Sequence, residues 1–193
     1  MAYTTYTTAA LVCGSIDNNG ADRAYLLFTE EFGMIWATAR SVREERSRQR
    51  YALQEFSLIR VSLVKGKGGW RIGSVEAAGN QFLRAKERGQ RAALLGLVQL
   101  LRRYVHGEEA LPAVWSDVEE FLTSSITAPN YQENMLHIFT IRLLYTLGYI
   151  PDDAAIQVLL RAPTLQEALI QYESNLAPRL KKLIQHAETV SQL

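Results

Sequence analysis

Apolar and polar residues alternate with a period of two through the first eighty or so positions, and the period becomes helical from Gln90 onward. Thr7 to Val12 leads into Asp17-Asn18-Asn19-Gly20, whose residues tolerate positive φ and predict a turn. Arg23 to Thr29 reads as a second strand. Gly33 breaks the chain, and Met34 to Arg40 reads as a third. There Ile35, Ala37 and Ala39 face one side, and Met34, Trp36 and Thr38 the other. Ser57 to Val64 and Trp70 to Ala77 follow, joined by the turn Lys65-Gly66-Lys67-Gly68-Gly69. Five short antiparallel strands must hide their edges, and a small barrel does so. A five-stranded OB-type barrel fits the count, and a small SH3-like barrel fits the pattern almost as well.

Beyond Gly79 the chain reads as helices. Leu94, Leu97, Val98, Leu101 and Val105 form one apolar stripe. Pro112 suits the first turn of a helix that turns Val114, Val118, Phe121 and Leu122 inward. Asn134 to Leu147 is apolar nearly all round, which predicts a central buried helix. Gly148 suits its C-terminal cap, and Pro151 prevents continuation. Thr164-Leu165-Gln166-Glu167 is a capping-box pattern. Pro178 opens a last helix with Leu180, Leu183, Ile184 and Ala187 inward. The expected fold is α+β: an N-terminal barrel domain over 1–80 and an all-α domain over 81–193, with the boundary between Gly79 and Gly89.

Charge sharpens this division. Net charge is only +1, but residues 1–91 carry 14 basic and 9 acidic side chains, and residues 92–193 carry 7 and 11. The stretch from Thr38 to Gly73 alone holds nine Lys/Arg against Glu44, Glu45 and Glu55. It reads as a cationic loop (Arg40, Arg43, Arg46, Arg48, Arg50) beside a cationic hairpin (Lys65, Lys67, Arg71) on one small sheet. An anionic polymer fits such a surface, and charge alone does not separate that reading from a solvated polar loop. Trp36, Tyr51 and Trp70 are the aromatic candidates for stacking on bases. Few apolar residues anchor the loop, so its arginines are expected to be exposed and mobile in the free protein.

Other chemistry is sparse. Cys13 is the single cysteine, so no disulfide forms within the chain and no cysteine-based zinc site is possible. It reads as a small buried residue. His106, His137 and His186 have no second ligand at metal spacing, and the expectation is no cofactor. The run from Gly66 to Gly69 lacks the spacing of a phosphate-binding loop. Glu44-Glu45, Glu108-Glu109 and Asp152-Asp153 are adjacent pairs, not acids facing one another across a cleft, so no catalytic set is expected. The N-terminal residues lack the basic region of a signal peptide, and the most apolar segment, Met135 to Ile150, is too short to span a bilayer. An intracellular protein is expected.

Several segments resemble the RecO family of recombination mediators. They are Gly20-Ala21-Asp22-Arg23, the run from Leu26 to Gly33, Ala39-Arg40-Ser41-Val42-Arg43, Gln54-Glu55-Phe56, and Leu143 to Tyr149 followed by Pro151. The resemblance implies an OB-fold domain followed by a helical domain. It implies binding of single- and double-stranded DNA, strand annealing, and loading of the RecA recombinase with RecR and single-stranded-DNA-binding protein. It also implies a cytoplasmic, nucleoid-associated bacterial setting. Arg40 and Arg43 match the motif arginines, and Arg46, Arg48 and Arg50 fall in the family's basic loop. Lys65, Lys67, Trp70 and Arg71 complete the candidate nucleic-acid-binding set. Met34 stands where the family is often basic, and Glu55 where proline is usual. Asp152-Asp153-Ala154-Ala155 occupies the region where many members carry a four-cysteine zinc module, which points to a zinc-free branch or a divergent relative. An interaction adaptor built on the acidic helices, or an RNA-binding OB protein, are the rival readings.

Overall fold

The computed structural model describes residues 4–18, 20–124, 131–154, 156–172 and 176–191. Asn19 of the expected turn and Ala155 of the segment after Pro151 lie outside them. The chain divides into two compact units, one of residues 1–86 with 105–112, the other of residues 87–104 with 113–193.

The first unit is a closed barrel of β1 (Thr5–Asp17), β2 (Arg23–Thr29), β3 (Gly33–Ala39), β4 (Ser57–Gly66) and β5 (Gly69–Asn80). The strand order is β1-β2-β3-β5-β4, closing back on β1, which is the OB-type arrangement. All pairings are antiparallel except β3 with β5, which touch in parallel through only Ala37–Trp70 and Thr38–Arg71. Period two explains the interior. Tyr25 and Leu27, Ile35, Ala37 and Ala39, Ile59, Val61 and Leu63, and Trp70 and Ile72 all point inward and are buried. One end is filled by Tyr6, Phe32 and Trp70, whose rings lie 5.0–5.7 Å apart in edge and tilted contacts.

Strand directions follow from these pairings. The β1–β2 turn and the β3–β4 connection leave the barrel at one end, and the β2–β3 turn and the β4–β5 hairpin at the other. The short helices α1 (Gln49–Ala52) and α2 (Gln81–Arg84) belong to this unit. So does the segment Val105–Pro112, which apolar period groups with the helices. It is held to the barrel because the Met34 amide donates to the Gly107 carbonyl at 3.0 Å and Lys65 pairs with Glu108.

The second unit contains α3 (Arg88–Tyr104), α4 (Pro112–Thr123, from Ala113 onward), α5 (Tyr131–Thr146), α6 (Gln157–Arg161), α7 (Leu165–Ile170) and α8 (Ala177–Ser191). Helix α5 is the centre, packed by α3, α6, α7 and α8 and buried on most sides. Gly148 takes φ +78°, and the Tyr149 amide returns to the Leu144 carbonyl at 2.8 Å, closing the helix. Thr164 caps α7 through its hydroxyl, which accepts from the Glu167 amide. Glu120 of α4 accepts the next two free amides, those of Leu165 and Gln166. Arg142 of α5 bonds Asp117 of α4 at 2.7 Å and donates to the carbonyls of Leu159 and Ala162. This side chain therefore ties three helices together. Burial pushes the Asp117 carboxyl up, against the pull of Arg142. No helix among the described residues is long and apolar enough to cross a membrane.

Gly33 has φ +61°, and a Cβ added there would lie 2.2 Å from the Glu109 carbonyl oxygen. Gly33→Ala should therefore cost about 2 kcal/mol or more, read as a fall in Tm. Gly20, at φ +66° with open space around it, is the control: Gly20→Ala meets only backbone strain and should cost about 1 kcal/mol.

Candidate nucleic-acid interface

The sequence places the cationic loop and the cationic hairpin side by side. In the barrel β5 runs beside the end of β3, with Trp70 opposite Ala37 and Arg71 opposite Thr38, two residues before Arg40. The second half of the loop reaches β5 as well, where Gln49 donates to the Gly73 carbonyl. Lys65, Lys67 and Trp70 lie at the hairpin end. Arg71 lies beside Thr38 and points outward with Thr38 and Trp36, since Trp70 and Ile72 on either side of it point in. This outer surface of β2, β3 and β5 runs from the hairpin tip at Lys67 past Arg71 to the arginine loop. Trp36 stands on it 47 % exposed, opposite Leu26.

The loop is also better anchored than its composition suggests. Val42 is 1 % exposed and sits in the barrel core, and Leu53 joins it from the far side of the loop. The Ser41 amide, at φ +50°, donates to Asp22 Oδ1 at 2.8 Å, and the Arg43 amide donates to the Ala21 carbonyl at 3.0 Å. Gln49 of α1 donates its side-chain amide to the Gly73 carbonyl at 2.7 Å. The few apolar residues of the loop thus bury more than the sequence suggests: Val42 anchors its first half and Leu53 its second. Arg40, Arg43, Arg46 and Arg48 remain exposed and Arg50 is half-buried.

Around this anchor lies a cleft of about 500 Å³ between Ser15 of β1, Arg23 and Tyr25 of β2, and Val42, Arg43, Arg50, Leu53, Gln54 and Glu55 of the loop. Of the expected arginines it gathers Arg43 and Arg50, whereas Arg40, Arg46 and Arg48 lie elsewhere on the loop. Arg23 is the residue that sequence reasoning missed. It pairs across the β1–β2 turn with Asp17, at 2.6–2.7 Å through two nitrogens, and Arg43 reaches the other oxygen of Asp17 at 3.7 Å. Arg43 also donates to the Gly20 carbonyl. Opposite charges flanking a tight turn were the available signal. The bond to Asp17 raises the Arg23 pKa further, and burial pushes the Tyr25 hydroxyl up. Arg50 donates to the Tyr51 hydroxyl at 2.6 Å and lies 4.7 Å from its ring centre; Tyr51 is 64 % exposed.

At the hairpin end the set changes character. Trp70 is 5 % exposed, closed in by Tyr6 and Phe32, so its faces are not open to a stacking partner. Lys65 is held by Glu108, whose carboxyl it draws below the usual range. Lys67 is exposed at the turn, which is tighter than the sequence suggests because Gly66 pairs with Gly69. No group of three or more His, Cys, Asp and Glu among the described residues is placed to hold a metal ion. Cys13 is buried.

A small OB-type barrel with arginines over one mouth is the architecture these residues define. The family described as "Recombination protein O N terminal" matches residues 1–80. The DNA repair protein RecO of Myxococcus xanthus is 27 % identical over 147 residues, covering 76 % of this chain and 60 % of that protein. RecO of Syntrophomonas wolfei is 27 % identical over 146 residues, covering 74 % and 56 %. RecO of Desulfitobacterium hafniense is 42 % identical over 62 residues, covering 32 % and 23 %. The chain is thus similar to RecO proteins, and its first 80 residues match their N-terminal domain. It spans at most about three-fifths of the length of these relatives.

The Val42 anchor has a direct consequence. Val42→Ala should cost on the order of 2 kcal/mol and speed trypsin cleavage after Arg46 and Arg48 at temperatures where the barrel stays folded. Cleavage rates equal to those of the unmodified protein would mean that the loop is held by its hydrogen bonds alone.

Proposed function

We propose that this chain is a non-enzymatic DNA-binding protein of recombinational DNA repair. In this reading a single strand runs along the outer surface of β2, β3 and β5, from Lys67 past Arg71 and Trp36 to the arginine loop. Cations at the two ends neutralise phosphates, and Trp36 and Tyr51 offer faces to bases. Two complementary strands held on such a surface repel each other less and anneal. The observation that carries this reading is exposed Trp36 on a strand face beside Arg71 and the arginine loop, on a barrel matched to the RecO N-terminal domain. Binding of duplex DNA, recombinase loading, and partnership with RecR, RecA and single-stranded-DNA-binding protein extend the same proposal. They come from the family resemblance and require the helical unit as well. The domain division at residue 80 belongs to the proposal too.

Titration with single-stranded DNA, duplex DNA and RNA over a range of salt tests it. Replacing Arg43, Arg46, Arg48 and Arg50 together by Ala should weaken single-strand binding. The log–log salt slope should fall by roughly 0.7 for each phosphate that is no longer neutralised. Thermal stability should change little, since exposed charges contribute under about 1 kcal/mol each. An unchanged slope with an intact fold would move the site away from the loop. Weak binding that the substitution leaves unaltered would favour the adaptor reading, and a preference for RNA over DNA the RNA-binding one.

A further inference from the structure

Of the residues lining the cleft at the barrel mouth, Val42, Leu53 and Tyr25 form an apolar floor. Each is at most 3 % exposed. The rim is polar and cationic, with Arg23, Arg43 and Arg50 around it and the Gln54 side chain exposed beside them. At about 500 Å³ the cleft falls within the range of small-molecule sites. An apolar floor under a guanidinium rim matches one nucleotide unit: the ring lies on the floor, its edge meets the amide of Gln54, and its phosphate meets the arginines. A flat phosphate-tracking surface needs no such hollow.

We propose that this cleft seats one unstacked base and thereby makes the barrel select single strands over duplex. The inference rests on the nucleic-acid reading given above and adds a place where that selectivity arises. A base in a single strand turns into the cleft at little cost. A base in a duplex must first leave its pair and its stack, at a cost that weakens duplex binding relative to single-strand binding. Charge alone favours the denser duplex phosphates, so a preference for single strands needs a feature of this kind. The Asp17 carboxylate supports the assignment, since Arg23 and Arg43 already converge on an oxyanion there.

Ser15 offers the test. It is half-buried at the cleft wall and carries no charge, so Ser15→Phe fills the hollow and leaves every arginine in place. Single-strand affinity should fall by about tenfold or more, with duplex affinity and the salt slope unchanged. A second measurement uses the unmodified protein, so it stands even if Ser15→Phe does not fold. An oligonucleotide carrying 2-aminopurine should brighten severalfold on binding when the probe occupies the seated position, and the same sequence as duplex should brighten less. Equal losses for both strand types in Ser15→Phe, or no loss in either, would overturn the inference and leave the proposed function standing. So would 2-aminopurine signals that never rise above those of a stacked strand. Failure of the unmodified protein to bind either strand at low salt would overturn the proposed function, and this inference with it.

Discussion

The closure of the barrel between β3 and β5 governs the position of everything else. Only Ala37–Trp70 and Thr38–Arg71 make that seam, and it is parallel, so no short turn can join the two strands. Strand β4 lies beyond β5 in the barrel order, so the chain leaving Ala39 must cross the mouth to reach Ser57. A connection laid over an open mouth meets exposed core. It either brings apolar side chains or leaves a hole. Here it brings Val42 and Leu53, and the arginines between them are lifted into solvent by the same placement. Display of the cations is thus a consequence of how a five-stranded barrel closes.

Much of the barrel was legible because period two is a local property. The strand at Arg23–Thr29 appears with the expected bounds, and the inward row Ile35, Ala37, Ala39 is the observed one. The helical caps at Gly148 and Thr164 were legible for the same reason: each depends on a few neighbouring residues. What the sequence hid is long-range. How far β5 is offset along β3, which brings Arg71 beside Thr38 and the start of the arginine loop, depends on the closure of the whole barrel, which composition does not encode. Val42 looked like an isolated apolar residue in a basic run, and only the closed mouth shows what it covers. Trp70 could be read as a stacking face or as a core residue, and Tyr6 and Phe32, which claim it for the core, lie far away in sequence. The segment Val105–Pro112 packs with the barrel although it lies between helices in sequence, and its apolar pattern carries no sign of that contact.

The helical unit satisfies its polar groups by similar economy. Arg142 serves Asp117 and two carbonyls at once, and Glu120 takes two amides at the start of α7. Buried guanidinium and carboxylate groups are costly to desolvate, and additional hydrogen bonds are what offset that cost. Both sets of bonds cross between helices distant in sequence, so they fix the arrangement of α4 to α7 more than they add to stability.

The same consideration limits how cations on the barrel should be counted. Nine Lys and Arg fall between Thr38 and Gly73, yet Lys65 is already matched by Glu108 and Arg43 by Asp17, which also holds Arg23. A phosphate arriving at Lys65 or Arg43 exchanges one anion for another, and the gain is only the difference between them. At Arg46 and Arg48, which stand exposed on the loop, a phosphate would gain its full, solvent-screened attraction. Two groups of cations with equal formal charge therefore differ in what they offer a polyanion. The group matched by carboxylates is partnered before a polyanion arrives, as at the cleft where Asp17 faces both Arg23 and Arg43. The group on the exposed loop is adaptable and supplies affinity that salt readily removes. A barrel that carries both offers exchange at one group and attraction at the other, and that difference is written in the positions of two carboxylates rather than in the number of arginines.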